Sequence, residues 1–259
     1  MKKIFTLLLL TLSFSTWAAP KAELWSYWDK SNEQATDTIS HDDWQLLLNK
    51  YLITKNQHTL FRYSDVSKKD KIKLESYINT LASLKPQDYS KKEQYSYWVN
   101  FYNALTVNLI LDNYPTKSIT KLGGFFSFGP WGKAIITVND KKLTLNDIEH
   151  RILRPIWNDP RTHYALNCAS LGCPNLQPSV FTATTSETLL EKAADEFINS
   201  DKGAELSEGR LQLSSIYDWF SDDFGSKEEL FIHLAQYRPE LSQFRGKVSY
   251  DYDWALNGK

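Results

Sequence analysis

The run Tyr97-Trp98-Val99-Asn100-Phe101-Tyr102-Asn103-Ala104-Leu105-Thr106-Val107-Asn108-Leu109-Ile110-Leu111 decides the fold. It is apolar on nearly every side of a 3.6-residue turn, so its spacing predicts a helix over about residues 91–114 that is central and buried. Ser96, Asn100 and Asn103 recur at i, i+4 and i+7 and form one polar stripe on that rod. A buried amide must be hydrogen-bonded or it costs on the order of 1–3 kcal/mol. The stripe therefore either pins a neighbouring loop through its backbone or faces a cleft.

Working outward, the preceding chain reads as an irregular arm carrying Trp25, Tyr27 and Trp28, followed by helices over about 42–53 and 67–84. The second would bury Ile72, Leu74, Tyr77, Ile78 and Leu81 and stop before Pro86. Downstream, residues 134–138 and 142–143 flank Asn139-Asp140 as a hairpin. Thr144 and Asp147 then have capping-box spacing at the start of a short helix. On that helix Glu149 shares the inward side with Leu145, Ile148 and Ile152, whereas His150 points toward Asp147 and Arg154. A carboxylate on an apolar stripe is either ion-paired, here with Arg151, Arg154 or Arg161, or shifted by burial. Further helices are expected over about 185–199 and 227–237, and strands over 210–213 and at the period-two C-terminus (Val248, Tyr250, Tyr252, Trp254, Leu256). The acid and aromatic run from Tyr217 to Phe224 reads as a helical turn whose acids match no calcium-loop spacing.

Candidate chemistry concentrates in Arg161-Thr162-His163-Tyr164-Ala165-Leu166-Asn167-Cys168-Ala169-Ser170-Leu171-Gly172-Cys173-Pro174, which holds both cysteines. Its first half has strand character and its second half turns at Gly172 and Pro174. A strand would put His163 and Cys168 on opposite faces, leaving His150 as the better imidazole partner for the thiol. Two cysteines in an oxidising compartment favour a disulfide, though so small a loop contributes only about 1–2 kcal/mol by chain entropy. Nucleophilic Cys168 and redox or metal chemistry stay open beside it.

Compartment follows from the N-terminus. Lys2 and Lys3 precede an apolar run from Ile4 to Phe14 and then Thr16-Trp17-Ala18, the pattern of a signal peptide over residues 1–18 cleaved before Ala19. Removing it takes two lysines and no acid, leaving 28 basic against 31 acidic residues. That balance excludes no fold but gives nucleic acid no electrostatic handle, and no later apolar stretch reaches membrane-spanning length.

Four blocks then stand out in order: residues 97–105, Ile148-Glu149-His150-Arg151-Ile152-Leu153-Arg154, Asp159-Pro160 through Cys168 with Cys173-Pro174, and Tyr252-Asp253-Trp254-Ala255-Leu256-Asn257. Together, across about residues 55–257, they resemble the domain of unknown function 547 family. The resemblance implies one domain over 55–259 after an arm and first helix over 19–54, and points to Asn100, Asn103, Glu149, His150, Arg161, His163 and Cys168. It brings no catalytic role to carry over.

The expectation is thus a single-domain α+β fold, helical in its first half, with a small mixed or antiparallel sheet in its second. Functionally the residues suggest a periplasmic or secreted thiol-dependent hydrolase or acyltransferase on a peptide, cell-wall component or other small molecule. Cys168 would be nucleophile, His150 base and Glu149 or an asparagine the orienter, with Asn100, Asn103, Arg161 and His163 toward substrate. The alternative is a non-catalytic binding or assembly protein with a structural Cys168–Cys173 disulfide. No cofactor, metal or nucleic-acid partner is expected, nor a membrane span once the signal is gone.

Overall fold

The computed structural model describes residues 19–124 and 128–259; the expected signal peptide lies outside the described residues. The expected central helix is α3 (Lys91–Asp112), begun by Ser90, whose hydroxyl accepts from the Glu93 N–H. Tyr97, Trp98, Val99, Phe101, Ala104 and Ile110 are wholly buried, so the rod is covered on all sides. Helix α2 (Lys68–Ser83) packs on it and α1 (Asp42–Tyr51) packs on α2, and the arm lies across α3 with Trp28 edge-on to Trp98. Ile72 departs from expectation: it is 64% exposed, because it sits two residues, about 200° of turn, before Leu74 and off the buried stripe of Leu74, Tyr77, Ile78 and Leu81.

The strands are short. β1 (Leu52–Lys55) and β2 (His58–Phe61) form an antiparallel hairpin that the sequence pattern did not reveal. β3 (Ile136–Val138) and β4 (Lys141–Leu143) form the expected one, with Asn139 and Asp140 both at positive φ, as a two-residue turn matching strand twist requires. After a π-helix (Asp147–Leu153) running into α4 (Arg154–Trp157) come α5 (Thr162–Ala165) and α6 (Ser186–Ile198). β5 (Ala204–Ser207) pairs antiparallel with β6 (Arg210–Ser214), which pairs parallel with β7 (Lys247–Asp251), giving a mixed three-stranded sheet. Between β6 and β7 lie α7 (Ile216–Trp219), α8 (Ser221–Phe224) and α9 (Lys227–Tyr237). The fold is α+β, as expected.

The segment around His163 corrects the strand reading. Asp159 receives the Arg161 N–H on its carboxylate and the Thr162 N–H on its carbonyl, and Pro160 fixes the backbone between them, so the chain starts a helical turn there. An acid followed by proline is a helix-start signal that outweighed the β-branched and aromatic residues after it. The chain becomes extended only at Leu166.

Two hydrophobic clusters result, one around α3 and one joining α6, α9 and β6 through Phe197, Leu211, Tyr217, Phe224 and Leu234. A cavity opens between them, lined by Tyr102 and Leu166 from the first side and by Ile216, Phe220 and Tyr252 from the second. Among the described residues no helix is long and apolar enough to cross a membrane.

Candidate functional site

The cavity measures about 530 Å³, a size that encloses a small ligand. Its walls are aromatic, with Tyr102 from α3, Trp131 before β3, Trp219 and Phe220 at the end of α7, and Tyr252 and Trp254 after β7. Its polar groups include Asn146, Glu149, His150 and His163, and the Cys168–Cys173 disulfide lies in the same wall.

The helix that presents Glu149 and His150 is wound wide because of its sequence. It opens with the expected reciprocal cap, Asp147 receiving the Thr144 N–H and the Thr144 hydroxyl receiving the Asp147 N–H, both at 3.0 Å. It closes with an i to i+5 bond from the Arg154 N–H to the Glu149 carbonyl. Pro155 then offers no N–H to the carbonyls of Arg151 and His150, four and five residues upstream. The arm satisfies both: Glu23 and Trp25 donate their N–H groups to the His150 and Arg151 carbonyls at 2.9 Å. Wide turns of this kind are frequent at functional sites, and here the turn carries two ionisable residues into the cavity.

Arg154 organises the charges. Its side chain is nearly fully buried; Nε donates to Asp223 Oδ2 at 2.5 Å, and Nη1 donates to His150 Nδ1 at 2.9 Å and to the Pro20 carbonyl at 2.8 Å. A guanidinium only donates, so His150 Nδ1 is the acceptor and its neutral ring carries hydrogen on Nε2. Burial also pulls His150 down to about 4, helped by the neighbouring Arg154 and His163 against Glu149, so the ring stays neutral at ordinary pH. This revises the role expected of His150. Its Nδ1 is taken, and what remains is an N–H donor rather than a base.

His163 is placed the other way round. Its Nε2 lies 2.6 Å from Asp223 Oδ2. Burial alone would raise the Asp223 carboxyl, but the hydrogen bonds from His163 and Arg154 outweigh it and hold the group below the ordinary carboxylate range. An ionised Asp223 accepts, so His163 donates through Nε2–H, and in the neutral form of the ring the lone pair is on Nδ1. That nitrogen is 3.9 Å from Glu149 Oε1, and His150 Nδ1 is equally far from it. Phe220 stacks on the His163 ring at 4.4 Å between centroids and underlies the Arg154 guanidinium at 4.7 Å, fixing both planes. Glu149 thus faces two imidazoles and the Tyr102 hydroxyl, whose ionisation is opposed first by burial and then by that carboxylate. None of the three arginines named for Glu149 from sequence is its partner in an ion pair.

The asparagine stripe does backbone work. Asn100 donates to the Phe181 carbonyl at 2.7 Å and accepts the Phe181 N–H at 3.1 Å. Asn103 donates to the Ala165 carbonyl and accepts the Asn167 N–H, both at 2.9 Å. Asn103 is therefore a positioning residue for the segment that enters the disulfide loop, and neither amide lines the cavity. Arg161 is not brought to the cavity either. It is held by Asp159, Glu187 and Glu191 on the surface. Of the alternatives left open for Cys168, the structure holds the Cys168–Cys173 disulfide, so the thiol wanted of a nucleophile is masked.

Asp223, Phe220, Tyr102 and Tyr252 were not singled out as site residues by sequence. Asp223 lies in the acid and aromatic run already noted, but its partners are 60 and 69 residues away, a distance no local spacing encodes. Among the described residues no group of three or more His, Cys, Asp or Glu side chains is arranged to hold a metal ion.

Residues 86–198 match the family model described as a protein of unknown function, DUF547, a span that covers α3, the π-helix and both cysteines and lies within the 55–257 suggested by the resemblance. No curated protein and no solved structure matches the chain.

Proposed function

The chain is a DUF547-domain protein, and from that premise we propose that it is an exported acid–base enzyme, a hydrolase or acyltransferase, acting on a peptide or cell-wall substrate held in the aromatic cavity. The observation that carries this reading is the Asp223–His163 pair, 2.6 Å apart, which leaves His163 Nδ1 as the basic atom beside Glu149. Substrate would lie against Trp131, Trp219 and Trp254. His163 Nδ1 takes a proton from a water or hydroxyl as that oxygen attacks an acyl carbonyl. The imidazolium formed is held by Asp223 through Nε2–H and by Glu149, and returns its proton to the leaving group. A base so oriented contributes about 10²–10⁴-fold in rate. Export rests on the charged and apolar pattern of residues 1–18, and a disulfide is what an oxidising compartment sustains.

The masked thiol of Cys168 favours a second reading, a cavity that binds without turning over. Mature wild-type protein and His163→Asn are incubated with muropeptides from digested cell wall, with binding followed by tryptophan fluorescence and products by mass spectrometry. Hydrolysis or transfer by wild type that drops at least about a hundredfold in the variant supports the enzyme. Binding without products selects the binding protein, and absence of both overturns the cell-wall assignment.

A further inference from the structure

Both cysteines of the disulfide line the cavity, with Cys168 partly exposed and Cys173 only 3% exposed. The loop between them is held without the S–S bond. Leu171 and Gly172 donate their N–H groups to the Ala255 and Asp253 carbonyls at 2.8 Å, and Asn257 donates to the Ala169 carbonyl at 3.1 Å. Asn167 spans the loop to the Pro174 carbonyl at 2.8 Å, and Lys202 Nζ holds the Cys173 carbonyl at 2.7 Å. A bond that adds only about 2 kcal/mol of chain entropy is therefore redundant for this geometry. It is also surrounded by donors. The Cys168 N–H lies 2.8 Å from Cys173 Sγ, and the Tyr252 hydroxyl lies 3.1 Å from Cys173 Sγ and 3.0 Å from Cys168 Sγ. Ser170 donates to that tyrosine at 3.1 Å, leaving the phenol proton for sulfur. Burial keeps the Tyr252 phenol protonated far above neutral pH.

Neutral disulfide sulfur gains little from such donors, whereas a thiolate gains a charge-assisted bond from each. From this arrangement we infer that the Cys168–Cys173 disulfide is a thiol-exchange centre, opened through the cavity by low-molecular-weight thiols. The accessible Cys168 is the attacked sulfur and Cys173 the leaving thiolate. An incoming thiolate bonds to Cys168 Sγ, the S–S bond breaks, and its electron pair leaves on Cys173 Sγ, received by the Cys168 N–H and the Tyr252 hydroxyl. A second thiolate attacks the mixed disulfide at the small-thiol sulfur, releasing the oxidised small-molecule disulfide and Cys168 as thiolate. Two small thiols are oxidised, the cystine is reduced, and their two protons end on the protein thiols. The resting disulfide is thereby a reversible mask on Cys168, the residue whose reactivity the sequence suggested. This inference does not require the acid–base reading, and its probe is not a substrate of it.

The full mature chain is equilibrated in glutathione buffers at neutral pH, quenched with acid, alkylated and analysed by mass spectrometry. The folded protein should reach equilibrium with glutathione, carry the mixed disulfide on Cys168, and keep its near-ultraviolet circular dichroism when reduced. Tyr252→Phe should lower the equilibrium constant for reduction about tenfold, the loss of one hydrogen bond to a charged sulfur. Ser170→Ala, which removes both the relay to the phenol and the Ser170 hydroxyl 3.2 Å from Cys168 Sγ, should shift it severalfold the same way. Reduction only in denaturant, glutathione captured on Cys173, loss of tertiary structure on reduction, or an equilibrium unmoved in both variants would overturn the inference.

Discussion

Replacing Asp223 with asparagine tests the electrostatic centre of the cavity. The carboxylate serves two groups at once, His163 Nε2 at 2.6 Å and Arg154 Nε at 2.5 Å, and the Arg154 side chain is only 3% exposed. An amide keeps the size and one acceptor oxygen but leaves a buried guanidinium without its counter-charge. Removing one partner of a buried ion pair costs about 3–5 kcal/mol, and the 19% exposure of Asp223 together with the retained oxygen places Asp223→Asn near the lower end, about 3 kcal/mol. The difference carries a pH signature. Because the folded carboxyl is held below its ordinary range, its contribution is fully present above the unfolded value near 4 and is lost as pH falls below that value. Urea unfolding followed by tryptophan fluorescence, with Trp219 and Trp254 in the cavity wall as reporters, should show a constant gap between wild type and variant from pH 7 to 5 that narrows below about pH 4. A gap under about 1 kcal/mol at pH 7, the range of an exposed pair, would refute the burial and pairing assigned to Asp223.

Three further outcomes follow from other parts of the molecule. Asn103→Ala strips partners from the Ala165 carbonyl and the Asn167 N–H and should cost about 2–4 kcal/mol in thermal or chemical unfolding; a loss within 0.5 kcal/mol, about what a surface substitution costs, would mean the amide is not holding that backbone. Burial brings His41, as it does His150, down to about 4, so the unfolded chain takes up protons first and stability should fall between about pH 6.5 and 4, by up to about 3 kcal/mol for each ring. His41→Gln should flatten that slope, and a slope unchanged by the substitution would contradict the neutral buried ring. Pro155→Ala restores an N–H that competes with the arm for the His150 and Arg151 carbonyls, so amide exchange at Glu23 and Trp25 should quicken; unchanged protection would mean the arm is held by its side chains alone.

Much of the fold was legible because periodicity is local. The all-round apolar run from Tyr97 to Leu111 forces a buried rod, Asn139-Asp140 forces a two-residue turn, and Thr144 with Asp147 starts a helix, and each holds in three dimensions. Residues 163–167 misled because strand-like side chains followed an unweighed Asp159-Pro160 start signal, and propensity yields to a capped turn. For the site, Glu149, His150, His163 and Cys168 do share one cavity, yet the role of His163 depended on a partner far away in the chain. Arg154, which helical spacing did place beside His150, decides which nitrogen of that ring is free, whereas Asp223, which decides it for His163 from 60 residues away, is not visible from spacing. The two asparagines read as equally suited to loop or cleft, and only the backbone they meet, at Phe181, Ala165 and Asn167, settles them as loop anchors.

The most direct measurement of the central claim is imidazole nitrogen NMR on the mature protein labelled with ¹⁵N-histidine, at a pH where the rings are neutral. His163 should carry its proton on Nε2, with Nδ1 showing the shift of an unprotonated lone pair, and Asp223→Asn should weaken that preference. A His163 protonated on Nδ1 in the wild-type protein would leave no base facing Glu149 and would contradict the assignment.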